Sequence, residues 1–398
     1  MKYAILIVDG AAGEPLEEYG GRTCLEMART PNLDALVPQG TLGRVRTVPP
    51  GFEPSSACAC MSVLGYDPRR YRLGRAAIEA TSLGIPVGRG EVVFRCNLVT
   101  VRQGRMVSYS AGHIGGEEAR QLFAALNEAL GSEAVRFFPG VGYRGILRLR
   151  GRGETRRAVC TPPHDIPGKP VAPHLPRGEG SAFLRELMAA AEAVLAEHPV
   201  NRARRQAGLE PATGIWPFWG SGPPPPLPPF YEVRRLRAAM TSGVDLLAGL
   251  ARLAGLDVLD IPGVSDGLDN DYAAQVQGAL AALADHDLVV IHVESPDEAA
   301  HSGLAAEKVR AIEAVDREMV SRLYGWRGDE LRLLVLPDHP TPLTTRTHSP
   351  GPVPFLLWGA GFGGNGARRF TEAEAARAGL FLEPGYVIMD WLVEGRSA

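Results

Sequence analysis

The segment DLVVIHVESPDEAAHSG (287–303) passes from a short apolar run into Glu294, Asp297, Glu298 and His301. A run of this length, rich in Val, Ile and Leu and closed by turn-forming residues, suits a buried strand of a parallel sheet. Asp297 and His301 stand four apart. On the first turn of a helix they share a face from which both can bind one metal, although an exposed, capped helix start reads the same way.

Three further runs repeat the pattern. YAILIVDG (3–10) ends at Asp9, LRLLVLPDH (331–339) at Asp338 and His339, and VPFLLWGAG (353–361) at glycines. Helical spacing separates them, as in 304–324, where Val309, Ile312, Val315, Met319 and Leu323 recur, and in 243–254. Strands alternating with helices specify an α/β fold with a mostly parallel sheet flanked by helices, in which ligands bind beyond the carboxyl ends of the strands. Three of the four runs place Asp, Glu or His there.

The stretch 86–235 reads differently, with strands expected at 92–101 and 145–151, helices at 116–130 and 181–198, and the proline-rich strap WGSGPPPPLPPF (219–230) at its end. The expected organisation is a core of residues 1–85 and 236–398 interrupted by a smaller inserted α/β domain, 86–235.

Composition narrows the functions. A net charge of −3 with no Lys/Arg run argues against nucleic acid, and no stretch reaches the ~18 apolar residues of a membrane span. Five cysteines, few and odd in number, argue against a disulfide framework and for the cytoplasm. Cys58 and Cys60 read as small buried thiols, and GAGFGG (359–364) as a turn rather than a dinucleotide site. Oligomeric state is not readable.

Asp338 and His339 are adjacent, so both can ligate one metal only from an irregular backbone, which Pro337 and Pro340 supply. His348 follows nine residues after His339, just before the next strand. With Asp9, Asp297 and His301 the set holds three carboxylates and three imidazoles, a mixture suited to two divalent cations such as Mn2+ or Zn2+. Such a pair clamps an in-line displacement at phosphorus and needs a nucleophile, which directs attention to SSACAC (55–60).

The chain resembles the archaeal-type, cofactor-independent phosphoglycerate mutases of the alkaline phosphatase superfamily. The likeness runs through ARTPNLDAL, RTVPPG, LGYDPRRY, FRCNLVT, SAGHI, TPPHDIPGK, HPVNRARR, PDEAAHSG, PDHPTP and HSPGPVPF, in that order. It implies one metal site from Asp297, His301 and His348. It implies a second from Asp9, Asp338, His339 and the nucleophile Ser56, with Mn2+ the first choice and Zn2+, Co2+ or Mg2+ as alternatives. It further implies that His113 moves protons on the substrate hydroxyls. Arg144, Arg204 and Arg95 would bind the carboxylate and phosphate of a small phosphorylated acid.

The expected reaction is the interconversion of 3- and 2-phosphoglycerate through a phosphoserine, with the inserted domain closing as a lid to keep water out. The departures are Ala57, where relatives carry an acid, Ser55 for their glycine, and Gln275 for a frequent lysine. They keep open a phosphatase, or a phosphotransferase acting on another acceptor such as homoserine.

Overall fold

The computed structural model describes residues 1–396 apart from 327 and 329. Its strands, in chain order, are β1 (Lys2–Val8), β2 (Thr41–Val45), β3 (Glu91–Arg102), β4 (Arg105–Ser108), β5 (Val135–Pro139), β6 (Gly145–Arg150) and β7 (Gly214–Ser221). There follow β8 (Ala238–Thr241), β9 (Asp257–Val258), β10 (Leu288–Val293), β11 (Leu331–Leu336), β12 (Val353–Trp358) and β13 (Phe381–Leu382). The chain divides into two compact units, Met1–Arg72 with Pro226–Ala398, and Leu73–Pro225.

In the first unit eight strands form one sheet in the order β13-β2-β12-β11-β1-β10-β8-β9. β1 lies at its heart, parallel to β10 on one side and β11 on the other. Residues 4–7 of β1 are fully buried, as a strand covered on both faces requires, which is why it reads as an unbroken apolar run rather than an alternation. The carboxyl ends of β1, β10 and β11 therefore sit side by side, each delivering its polar residues to one edge.

β12 corrects the parallel expectation: it runs antiparallel to both β11 and β2. No helix interrupts residues 337–352, and without a crossover helix the chain turns back beside the strand it has just left. The reversal has a functional consequence. The start of β12 lies beside the end of β11, so His348 reaches the edge that already holds Asp9 and Asp338.

The 304–324 segment is one continuous helical stretch, Ala305–Ala314 and Ser321–Tyr324 joined by a π-helical turn at Val315–Val320. On that turn the buried Asp316 accepts the N–H groups of Asn32 at 3.1 Å and Leu33 at 2.8 Å. These are first-turn donors of the helix Pro31–Leu36, which has no side-chain cap from its own N-cap residue, so Asp316 replaces the missing cap.

The second unit is built on an antiparallel sheet, β4-β3-β6-β5 with β7 on the other side of β3. Alternate residues of β3 face two cores. Phe94, Cys96 and Leu98 pack with Phe123, Leu184 and Trp216 under the helices Gly116–Leu130 and Ser181–Ala196. Val93 meets Ala76, Ala77 and Ala80 of the helix Arg75–Ser82. That packing ties residues 73–85 to this unit, so the compact units divide about a dozen residues earlier than the sequence pattern placed the boundary. β7 escaped the sequence reading because Pro217 argues against a strand. Among the described residues it is an edge strand paired with β3, where proline is tolerated. Among the described residues no helix is long and apolar enough to cross a membrane.

Candidate metal centre

Each candidate carboxylate and imidazole lies just beyond, or just before, a strand end of the first unit. Asp9 follows β1, Asp297 and His301 lie on the helix Ser295–His301 after β10, Asp338 and His339 follow β11, and His348 precedes β12. Gly10 has φ +62°, and a Cβ there would stand 2.4 Å from Asp297 Oδ1. Glycine lets the Asp9 and Asp297 loops approach as no other residue can.

The structure brings Asp297, His301 and His348 together. Asp297 Oδ2 lies 2.9 Å from His301 Nε2 and 3.5 Å from His348 Nε2, and the two Nε2 atoms are 2.9 Å apart. Each ring's Nδ1 faces a backbone carbonyl, Arg346 O at 2.9 Å for His301 and Pro54 O at 3.2 Å for His348. A carbonyl only accepts, so each Nδ1 carries a proton, and the lone pair that can take a further proton or a cation is the one on Nε2. Two lone pairs at that separation need a proton or a cation between them. Thr341 Oγ1 donates to the other Asp297 oxygen and fixes the carboxylate.

Beside this group lie Asp9, Asp338, His339 and Ser56. Ligand atoms of Asp9, Asp338 and His339 all fall within 4.8 Å of one another, as do those of Asp297, His339 and His348. Ser56 is the first residue of the helix Ser56–Val63, and its Oγ is 3.4 Å from His339 Nε2. Ser55 caps this helix, accepting the Cys58 N–H at 3.4 Å. The helix is tied to the ligand loop as well, Ser62 Oγ donating to Thr47 O and Thr47 Oγ1 to Asp338 O.

The electrostatics suit divalent cations. Asp9, Asp297 and Asp338 are at most 2% exposed, and Asp9 Oδ1, Asp338 Oδ2 and Glu294 Oε2 are buried oxygens without a hydrogen-bond donor. Burial pushes the Asp9 carboxyl well above its ordinary range, and the charges of Asp338, Glu294 and Asp297 add to the effect. Burial likewise lifts Glu294 to about 8. Asp297 goes the other way. Burial raises it, but the imidazoles of His301 and His348 beside it hold it well below the carboxylate range. Uncompensated burial costs several kcal/mol per carboxylate, roughly, so this arrangement calls for positive charge. Cys60 also lies near His292 and Asp338, and burial pushes its thiol well above its ordinary range.

The sequence reading missed His292 and Glu294 as members of this cluster. His292 Nε2 is 2.9 Å from Asp9 Oδ2. The available signal was the imidazole itself, since a histidine inside a buried apolar strand must find a polar partner. Gln275, a departure from the family pattern, is fully buried and donates to His292 O at 2.9 Å, while Asn270 donates to its oxygen. It is part of the scaffold behind the centre.

The remaining candidates belong to the second unit. His113 is exposed and held at φ +51°, the third of three consecutive residues with positive φ after Ala111 and Gly112. Arg95 is buried, 3.1 Å from Glu79, and stacks near Phe218 and Trp219. Arg144 lies over Tyr143. Arg204 is engaged within its own unit. It donates to Glu118 at 2.6 Å, to Glu210 O at 2.9 Å and to Ala111 O at 3.0 Å, bracing the turn that carries His113.

A family model described as 2,3-bisphosphoglycerate-independent phosphoglycerate mutase matches residues 38–201. A protein of that name from Methanothrix thermoacetophila is 47% identical over 99% of this chain and its own full length. One from Methanosarcina acetivorans is 45% identical over 90% of each. Among solved structures, the cofactor-independent phosphoglycerate mutase of Thermoplasma acidophilum superposes with a TM-score of 0.66 at 27% identity over 99% of each chain. A Pyrococcus horikoshii protein reaches 0.83 at 28% identity, covering 100% of this chain and 98% of its own. The chain belongs to the 2,3-bisphosphoglycerate-independent phosphoglycerate mutase family.

Proposed function

We propose that the protein is an isomerase that interconverts 3-phosphoglycerate and 2-phosphoglycerate through a phosphoserine at Ser56. The observation that carries this reading is Ser56 Oγ, 3.4 Å from His339 Nε2, at the edge of a buried cluster of candidate ligands. Asp297, His301 and His348 would hold one divalent cation, and Asp9, Asp338, His339 and Ser56 a second. Mn2+ is the first choice on donor chemistry, ahead of Zn2+, Co2+ and Mg2+. Cations bound there would favour the ionised serine and offset the charge of the phosphoryl oxygens.

Ser56 Oγ forms a bond to phosphorus as the bond to the substrate's 3-oxygen breaks, and the departing oxygen takes a proton. The 2-hydroxyl then gives up its proton, its oxygen attacks the phosphoserine, and Ser56 is released. The first-turn N–H groups of the helix Ser56–Val63 favour negative charge at Ser56 in both transfers. In the second unit His113 is assigned the proton transfers, and Arg95 and Arg144 the glycerate carboxylate, with Arg204 as the support of His113. A cytoplasmic location accords with this reading.

Phosphorus NMR of 3-phosphoglycerate with the Mn2+-loaded protein tests the proposal. The expected result is 2-phosphoglycerate with little inorganic phosphate. Ala57 is the feature that favours a phosphatase or another phosphotransferase. Free phosphate as the main product, or phosphoryl transfer to homoserine, would establish that second reading in place of the mutase.

A further inference from the structure

Behind Asp9 runs a chain of hydrogen bonds, part-buried at Ser242 and buried at Asp9, whose directions follow from the groups that make them. The Val244 N–H donates to Ser242 Oγ at 3.1 Å. Ser242 Oγ lies 3.1 Å from His292 Nδ1, and His292 Nε2 lies 2.9 Å from Asp9 Oδ2. As a ligand to a cation Asp9 is a carboxylate, which only accepts, so Nε2 must then carry the proton that bonds it. A neutral ring has a single N–H, so Nδ1 accepts, and the donor beside it is the Ser242 hydroxyl. That hydroxyl is oriented because its oxygen already receives the Val244 N–H. The strand behind the ring is pinned too, Gln275 donating to His292 O.

The bond to His292 occupies Asp9 Oδ2. Asp9 Oδ1 is buried, has no hydrogen-bond donor, and lies 3.7 Å from His339 Nε2. We propose that Ser242 and His292 are positioning residues: they fix the tautomer that holds Asp9 Oδ2 and so present Oδ1 as a single-oxygen ligand to the cation shared with Asp338 and His339. This rests on the reading of Asp9 as a ligand. It assigns His292 a supporting place behind the metal rather than a bond to it, because an Nε2 that carries a proton cannot ligate. The group Asp9, His292 and Glu294, which has the spacing of a separate cation site, is then not one.

The test is Mn2+ binding to the purified full-length protein, followed by the electron paramagnetic resonance signal of free Mn2+. The variants are Asp9→Asn, Ser242→Ala, Ser242→Thr and His292→Asn. Asp9→Asn should abolish one class of Mn2+ site, and if it leaves binding unchanged the ligand reading itself fails. Given that loss, Ser242→Ala and His292→Asn should weaken the same class by roughly 10- to 100-fold, the usual cost of removing an outer partner. The other class should be unaffected, and Ser242→Thr, which keeps the hydroxyl, should restore affinity. Wild-type affinity in Ser242→Ala and His292→Asn, with the site lost only in Asp9→Asn, overturns the positioning role. So does loss of a complete Mn2+ equivalent in His292→Asn with Ser242→Ala unaffected, which would make His292 a ligand. Nitrogen NMR of the imidazole gives an independent check: the Nε2–H tautomer is expected, and the Nδ1–H tautomer contradicts the proposal.

Discussion

Gly10 and His301 show how much of the centre is decided by single residues. An added methyl at Gly10 meets Asp297 Oδ1 at 2.4 Å from a backbone with φ +62°. Gly10→Ala should therefore cost about 1–3 kcal/mol of stability in a denaturant titration and weaken Mn2+ binding with it. His301 carries a pH signature. The Asp297 carboxylate raises it to about 9, so near neutral pH the ring holds a proton when no cation is present. A cation must displace that proton, so affinity at this group should rise with pH up to about 9 and fall as pH drops below it. Calorimetry in buffers of different ionisation enthalpy should detect proton release on Mn2+ binding, and a buffer-independent heat would contradict the assignment. Asp9, Asp338 and His339 stood out in the sequence because they follow apolar runs closely, and Asp297 and His301 because they stand four apart just beyond one. His292 did not, because it sits inside such a run.

At the scale of elements, the decisive feature is which strand ends share an edge. β12 was read as one more parallel strand, because a buried run of Val, Leu and Phe has the same pattern in either direction. Its reversal is set by the helix-free connection before it, and only that reversal explains how His348 joins the other ligands. A second element-level device is Lys308, on the helix Ala305–Ala314. Its ammonium, 1% exposed as a residue, donates to Ala12 O at 3.1 Å and Thr341 O at 2.9 Å, linking the loops after β1 and β11. Lys308→Met leaves Thr341 O without its donor, while Ala12 O keeps the Thr341 N–H at 3.1 Å, and should cost about 1–3 kcal/mol, read as a lower denaturant midpoint. In the second unit the left-handed turn Ala111–His113 depends on Arg204. Arg204→Leu should lower mutase turnover while leaving Mn2+ affinity intact. Arg204 read as a ligand-binding arginine in the sequence because its partners, Glu118 and the carbonyls at 111 and 210, are brought to it only by the fold.

At the scale of the whole molecule, a change of pattern along the chain was visible and was read as a core interrupted by a smaller inserted α/β domain. The edges were not, since the helix Arg75–Ser82 is assigned to a unit by what it packs against. The cluster of buried carboxylates couples metal to folding. Chelation with EDTA should lower the melting temperature, and added Mn2+ should restore it in a concentration-dependent way. A melting temperature indifferent to both would mean the carboxylates are balanced without a cation. The central claim is that Ser56 carries the phosphoryl group between the two hydroxyls. Rapid acid quench of the Mn2+-loaded protein with 3-phosphoglycerate, followed by peptide mass spectrometry, tests it most directly. The account predicts one phosphoryl group on the peptide containing Ser56, and loss of both this mark and at least about 10³-fold in turnover in Ser56→Ala. A Ser56→Ala protein that still forms 2-phosphoglycerate at the wild-type rate would contradict it.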